Sequence, residues 1–333
     1  MKEEILKFLQ EKKQAKTWDL VKFFWKDRTT IYRWLKKLEE EWEVEQIKKW
    51  TYKLKEKIEK YFDTPTWERK KVFYNPDFLR NYKPNETYFF SKQNLKKLEN
   101  TVKDLPIDTD FYKNNKRFLE TLLIDLSFAS SYLEGNTYSY LDTEVLLKYN
   151  EINKEKTAEE TQMILNHKKA IEYMIYYKKE LDFNKQAFFE IHSLLWEKLL
   201  LKDELWVIRN KIVEIWWSTY TPLDNKFKLE EEFEIFLEKL NRIKNPFEQS
   251  LFIMTFIPYF QLFLDINKRT SRIMWNLPLI KNNLPVLSLI QLEKKKYIVA
   301  ILAIYELNNP DLLQNIWTEN YLLNLQRYKN YFN

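Results

Sequence analysis

The sequence predicts a mainly α-helical protein in two parts: a small α+β unit in front, and a larger helical body that carries one short β-hairpin. Three observations predict this. From Phe111 onward, apolar residues recur at helical spacing through most of the chain. Between Ile212 and Pro222 the run IVEIWWSTYTP is β-branched and aromatic and stops at proline, the pattern of a hairpin projecting from a helical body. Near the N-terminus, three short helical patterns are followed by two strand-like runs.

In the front unit, expected over 1–57, Glu3 to Leu9 reads as a first helix and Thr17 to Phe24 as a second. Arg28 to Glu41 reads as a third, with Ile31, Trp34, Leu35 and Leu38 on one face. EVEQI and TYKL then form two strands joined by Lys48-Lys49-Trp50. This order is that of a winged helix-turn-helix, in which the third helix enters the major groove of DNA. Arg28, Thr29, Thr30, Tyr32 and Arg33 are the candidates for bases or phosphates, and Lys36, Lys37, Lys48 and Lys49 for phosphate charge. The alternative is an ordinary solvated helix face on a module that docks protein or makes a homodimer; Glu39 to Glu41 is unfavourable to phosphate. Residues 58–109 contain Pro65, Pro76, Pro84 and Pro106 and read as a linker and lead-in segment.

The helical domain is expected over 110–333, with amphipathic stretches at Asn115 to Tyr132, Thr157 to Lys178, Lys185 to Leu200 and Leu229 to Ile243. Leu251 to Leu264 is almost wholly apolar, as a buried helix requires. Composition narrows the chemistry. A chain of 333 residues with no cysteine and only His167 and His192 holds no thiolate or histidine-rich metal site. Both histidines lie on helix faces far in sequence from any motif and read as structural. No run approaches the roughly 18 apolar residues of a membrane span and the start is charged, so a cytoplasmic protein without membrane contact is expected. The net charge of +6 is too mild to imply nucleic acid by itself.

One glycine, Gly135, stands where average usage of about 7% would give roughly 23, and twelve tryptophans accompany it. Trp25, Trp42 and Trp50 fall at turns that favour a residue able to take φ > 0. This pattern suggests a lineage that reads UGA as glycine, with Trp216 and Trp217 also glycine; Trp34 and Trp317, inside helical patterns, stay tryptophan, and Trp18 and Trp67 stay open. An AT-rich genome explains scarce glycine but not abundant tryptophan.

The string QLFLDINKRTSR, Gln261 to Arg272, resembles the Fic signature HxFx(D/E)GNxRxxR through Phe263, Asp265, Asn267, Arg269 and Arg272. Upstream, SSYLEGNTYS resembles the inhibitory-helix motif (S/T)xxxE(G/N) through Ser130, Glu134 and Gly135. With Trp216 and Trp217 read as glycine, the 212–222 run is similar to a Fic flap, whose residues here are Ile215, Ser218, Thr219 and Tyr220. The resemblance implies a Fic (Fido) domain with its inhibitory helix ahead of the core. It also implies ATP with Mg²⁺ as ligands and a protein Ser, Thr or Tyr hydroxyl as acceptor. A loop entering a helix N-terminus suits phosphate. Phe263, Asn267, Arg269 and Arg272 would bind the nucleotide and Asp265 would carry Mg²⁺. The flap would take a target by strand addition, and Glu134 would pair with Arg272 as a brake.

The catalytic histidine of the family falls on Gln261, which has no comparable basicity, so general-base help of about 10² to 10⁴ in rate is lost. Ile266 and Lys268 replace glycines of the commonest form. The stretch IPYFQLFLDINKRTSR is similar to a Fic subgroup with strings such as IPYLQPFEDVNKRTSR, where glutamine stands at the same place. Three functions therefore stay open. The first is a nucleotide-binding regulator joined to a DNA-reading module, with weak or absent transferase activity. The others are a protein adenylyltransferase (AMPylation) restrained by Glu134, and a non-catalytic interaction module.

Overall fold

Residues 1–12, 14–40, 43–54, 58–199 and 205–332 are described here in a computed structural model, in which the chain divides into two units, Met1–Glu68 and Arg69–Asn333. In the first unit, helix α1 (Lys2–Lys12) is followed by strand β1 (Gln14–Lys16), α2 (Thr17–Phe24), α3 (Arg28–Glu40), and the strands β2 (Val44–Lys48) and β3 (Thr51–Leu54). The sheet runs β1-β3-β2 and is antiparallel throughout. Asp27 starts α3 by accepting from the Thr30 N–H at 2.9 Å and the Thr30 hydroxyl at 2.6 Å. Ile31, Leu35 and Leu38 then fall on one face and pack with Ile5, Leu9, Leu20, Val44 and Tyr52. The three helices and the β2/β3 pair stand where the periodicity predicts them; β1, three residues long and polar at both ends, carries no sequence signal.

The stretch 58–109 is not simply a linker. It holds α4 (Ile58–Phe62), strand β4 (Val72–Phe73), α5 (Pro76–Arg80) and α6 (Lys92–Val102), and from Arg69 on it belongs to the second unit. Its prolines do mark turns, but Leu79, Tyr82, Phe90, Leu95 and Leu98 between them are buried. Glu248 fastens this segment: its carboxylate accepts from the Phe89 N–H (2.6 Å), the Phe90 N–H (3.3 Å) and the Tyr82 hydroxyl (3.0 Å).

The rest of the second unit is helical: α7 (Phe111–Asn114), α8 (Lys116–Leu133), α9 (Tyr140–Tyr149), α10 (Ala158–Tyr176) and α11 (Lys185–Trp196) precede strand β5 (Tyr220–Thr221). After it come α12 (Lys226–Arg242), α13 (Pro246–Phe260), α14 (Asn267–Met274), α15 (Leu277–Lys281), α16 (Lys294–Leu307) and α17 (Asp311–Phe332). The predicted amphipathic stretches are α8, α10, α11 and α12; Leu200 and Trp42 lie outside the described residues. Helix α13, buried on all sides from Phe247 to Phe260, is the axis of the core and ends at Gln261 in the left-handed region (φ 51°). In the flap stretch, β5 is the one strand among the described residues, and it pairs in parallel with β4 rather than with a second arm of its own hairpin. Among the described residues no helix is long and apolar enough to cross a membrane.

Candidate functional site

The turn from α13 into α14 builds the site. Gln261 closes α13, and residues 262–266 form a loop whose last member, Ile266, is a β-branched side chain held at φ 68°. Such a conformation costs on the order of 1 to 3 kcal/mol and persists only where the surroundings impose it. Asn267 imposes much of it. Its Oδ1 accepts from the Phe263 N–H at 2.9 Å, while its Nδ2 donates to the Phe263 carbonyl at 2.8 Å and to Gln261 Oε1 at 3.2 Å. Asn267 therefore braces the loop, and its amide is not free for a ligand. Phe263 is likewise buried under the loop, stacked at 3.6 Å on His192 and edge-on to Phe189 at 5.2 Å. Both residues, expected as nucleotide ligands, shape the loop from below.

The loop presents anion-binding groups on its open side. Among the described residues, no protein acceptor faces the backbone N–H groups of Asn267, Lys268 and Arg269, the first turn of α14. Arg269 is almost buried, holds Asp265 at 3.2 Å through Nη2, and has no partner for its Nε. Asp265 keeps an exposed carboxylate, with one oxygen accepting from the Ile266 N–H at 2.6 Å.

Arg272 is occupied. Its Nη2 donates to Glu134 at 2.6 Å and to the Ser130 carbonyl at 3.2 Å, its Nε to the Ser130 hydroxyl at 2.8 Å, and its Nη1 to the Tyr297 hydroxyl at 3.1 Å. Lys268 approaches the other Glu134 oxygen at 3.2 Å. Glu134 caps the C-terminus of α8, and Gly135 turns the chain away at φ 96°. Burial alone would raise the Glu134 carboxyl, but the charges of Arg272, Lys268 and Arg269 outweigh it and hold it far below the usual carboxylate range. A carboxylate of the chain itself is thus fixed between two cations of the motif.

Both histidines reach this network from distant sequence. His167 Nδ1 lies 2.7 Å from the Met163 carbonyl, so it carries the proton, and Nε2 accepts from the Ser130 hydroxyl at 2.8 Å. The Ser130 oxygen then faces Arg272 as an acceptor. His192 Nε2 lies 3.3 Å from the Asp265 carbonyl. Burial first, then Arg269 for both and Arg272 for His167 as well, lowers the two imidazoles to about 3, so both are neutral. Distant from the motif in sequence, they stand directly beneath it in the fold. The Gln261 side chain is fully engaged, with Nε2 donating to the Pro258 carbonyl (2.7 Å) and the Tyr305 hydroxyl (3.0 Å), and it offers no basic atom.

In the flap, Trp217 stands at φ 67° and Trp216 does not take positive φ. The Ser218 hydroxyl and the Thr219 N–H both donate to Glu306, at 2.9 and 3.1 Å. Tyr220 lies 5.3 Å from Tyr305, whose hydroxyl meets Gln261, so the flap and the motif share one aromatic stack. Ile215 is half-buried and its carbonyl accepts from the Ser218 N–H.

Three solved structures share this architecture. Fic-1 from C. elegans aligns with a TM-score of 0.58 at 17% identity, covering 72% of this chain and 71% of that one. A Fic domain-containing signaling protein from Bacteroides thetaiotaomicron gives 0.58 at 18%, covering 71% and 96%. The chain has the Fic fold. A Fic family protein from Desulfovibrio desulfuricans gives 0.59 at 14% identity, covering 75% and 77%. No protein-family model matches the sequence, and no curated protein does. The Fic-fold loop thus brings Gln261, Asp265, Arg269, Arg272, Ser130 and Glu134 together as the signature spacing implies. Lys268 and Tyr297, which the spacing does not single out, complete the network around Glu134 and Arg272.

In the first unit, Arg28, Thr29, Arg33 and Lys37 of α3 are exposed, opposite Ile31, Leu35 and Leu38. Thr30 is taken by Asp27, Tyr32 packs 5.5 Å from Trp50, and Lys36 pairs with Glu39 at 2.5 Å. Of the six cations read from sequence as phosphate contacts, Lys36 is drawn into an ion pair and the other five, Arg28, Arg33, Lys37, Lys48 and Lys49, stay exposed, Arg28 with its guanidinium 4.4 Å from the Trp50 ring centre.

Proposed function

We propose that this Fic-fold protein binds a nucleoside triphosphate, with ATP·Mg²⁺ the first candidate, at the α14 N-terminus, and that it acts as a regulator with weak or absent transferase activity. The observation that carries this reading is Glu134: an anionic side chain already sits against Arg272 and Lys268, the place a ligand phosphate would take beside the free amides of α14. Arg269, with its unpartnered Nε, is the first contact for that phosphate. Asp265 is the residue to hold Mg²⁺. One exposed carboxylate suits an ion that keeps its waters and takes its remaining ligands from phosphate. Bound there, Mg²⁺ would neutralise phosphate charge. Gln261 removes the family's proton acceptor, which is why transfer is expected to be weak.

The deciding experiment is calorimetry with ATP and Mg²⁺ on the native chain and on Glu134→Gly. Binding should tighten about tenfold in the variant, within the usual range of coupling between sites; no binding by either protein would leave the interaction-module reading. Labelled-ATP transfer by Glu134→Gly with Gln261 intact would instead establish the adenylyltransferase reading, and gain of transfer only on adding Gln261→His would show a site complete but for its base.

The first unit is read as a winged helix-turn-helix that contacts DNA through the exposed face of α3, because Thr29, Arg33 and Lys37 recur every four residues on the side away from the core. Binding should weaken steeply with salt.

A further inference from the structure

The flap is held from an unexpected side. Val72 and Tyr74 donate their N–H groups to the Thr219 and Thr221 carbonyls at 3.1 and 3.0 Å, so the segment that enters the second unit fills one edge of β5. Beneath it, Arg69 Nη1 donates to both oxygens of Glu306 at 2.7 Å, and Arg69 Nη2 donates to the Trp217 carbonyl at 2.7 Å. The two side chains are 4% and 0% exposed. At that depth each charge is tolerable only because of the other. Glu306 also accepts from Ser218 and Thr219, so the buried Arg69–Glu306 pair together gathers the strap and three consecutive flap residues, Trp217 through Arg69 and the other two through Glu306. The strap is fixed at its far end as well, where the Asn75 N–H donates to the Tyr259 hydroxyl at 2.8 Å and Asn75 Nδ2 to Asn308 at 2.9 Å.

We propose that residues 69–74 are a positioning strap for the flap, with the Arg69–Glu306 pair as its latch. The strap fixes the arm 217–221 over Tyr305 and occupies the β5 edge, so a partner strand cannot add there without displacing β4. The functional meaning rests on the flap reading above; the lock itself does not. Hydrogen exchange on the full chain tests it. In Arg69→Ala the amides of Val72, Tyr74 and Thr219 should exchange roughly tenfold faster or more, with α13 unchanged, and Arg69→Lys, which keeps charge but loses the fork, should fall between. ATP·Mg²⁺ affinity should not move, since Arg69 does not touch the α14 loop. Equal loss of protection in α13 would mean a general fold defect; Val72→Pro, which removes one strap donor and leaves the ion pair, then decides, and the lock is wrong if flap exchange stays unchanged in it. Should native protein bind no ATP while the exchange pattern holds, the nucleotide reading fails and the lock stands.

A separate observation concerns the tryptophans. Trp25, Trp50, Trp206 and Trp217 take φ of 49°, 64°, 63° and 67°, a region that strains a side chain with a Cβ and suits glycine. Trp25 is 92% and Trp217 74% exposed, whereas Trp196, Trp275 and Trp317 are buried within or at the end of helices. We infer that these four are glycines in the protein its own cell makes, through UGA read as glycine. Peptide mass spectrometry on protein from its source should find glycine at all four and tryptophan at Trp317; tryptophan at any of the four overturns the inference for that position.

Discussion

The α14 loop and the α3 face both gather cations, and they treat them in opposite ways. Around α14, Arg272 is almost wholly buried and each nitrogen has an acceptor within the chain. On α3, Arg33 is exposed and makes no ion pair among the described residues. The first arrangement fixes a single geometry for the guanidinium and the carboxylate together. The second leaves its charge in water and contributes little to folding. Burial, more than charge count, separates the two.

The strongest way to break this contrast is Arg272→Ala. Glu134 would remain in its pocket with Lys268 alone, and the fold should lose about 3–5 kcal/mol in chemical denaturation. A loss under about 1 kcal/mol would show that the pair is solvated. Next comes pH. The folded histidines stay neutral to about pH 3, while unfolded imidazoles protonate near 6.5, so the unfolded state binds more protons and stability falls on acidification through that window. Each histidine contributes about 1.4 kcal/mol per pH unit at full slope. Glu248, raised to about 7 by burial, acts with the opposite sign above about pH 4.5 and cancels one of them. One net proton should therefore be taken up on unfolding near pH 5.5, and His167→Gln should abolish that slope. The smallest effect belongs to α3. Arg33→Ala should leave Tm unchanged while reducing the salt slope of DNA binding by about one; indifference of binding to both salt and the substitution discards the DNA-reading role.

The helices were legible because apolar period and burial agree, as in Ile31, Leu35 and Leu38. The Fic-fold loop was legible because its signature residues lie within one stretch of twelve, Gln261 to Arg272. What periodicity cannot supply is whether a motif residue faces the ligand or the core. Phe263 and Asn267 occupy signature positions, yet one is an apolar floor and the other a loop brace. Nor can spacing reveal partners brought together by the fold: His167 meets Ser130 across 37 residues, and Arg69 meets Glu306 across 237. The prolines of 58–109 announced turns correctly but hid the packed segments between them.

Arg69 is the first residue of the second unit, and Glu68, its neighbour, is the last of the first. Within that second unit its guanidinium reaches Glu306 of α16 and the Trp217 carbonyl at once, so three stretches far apart in the chain answer to a single side chain.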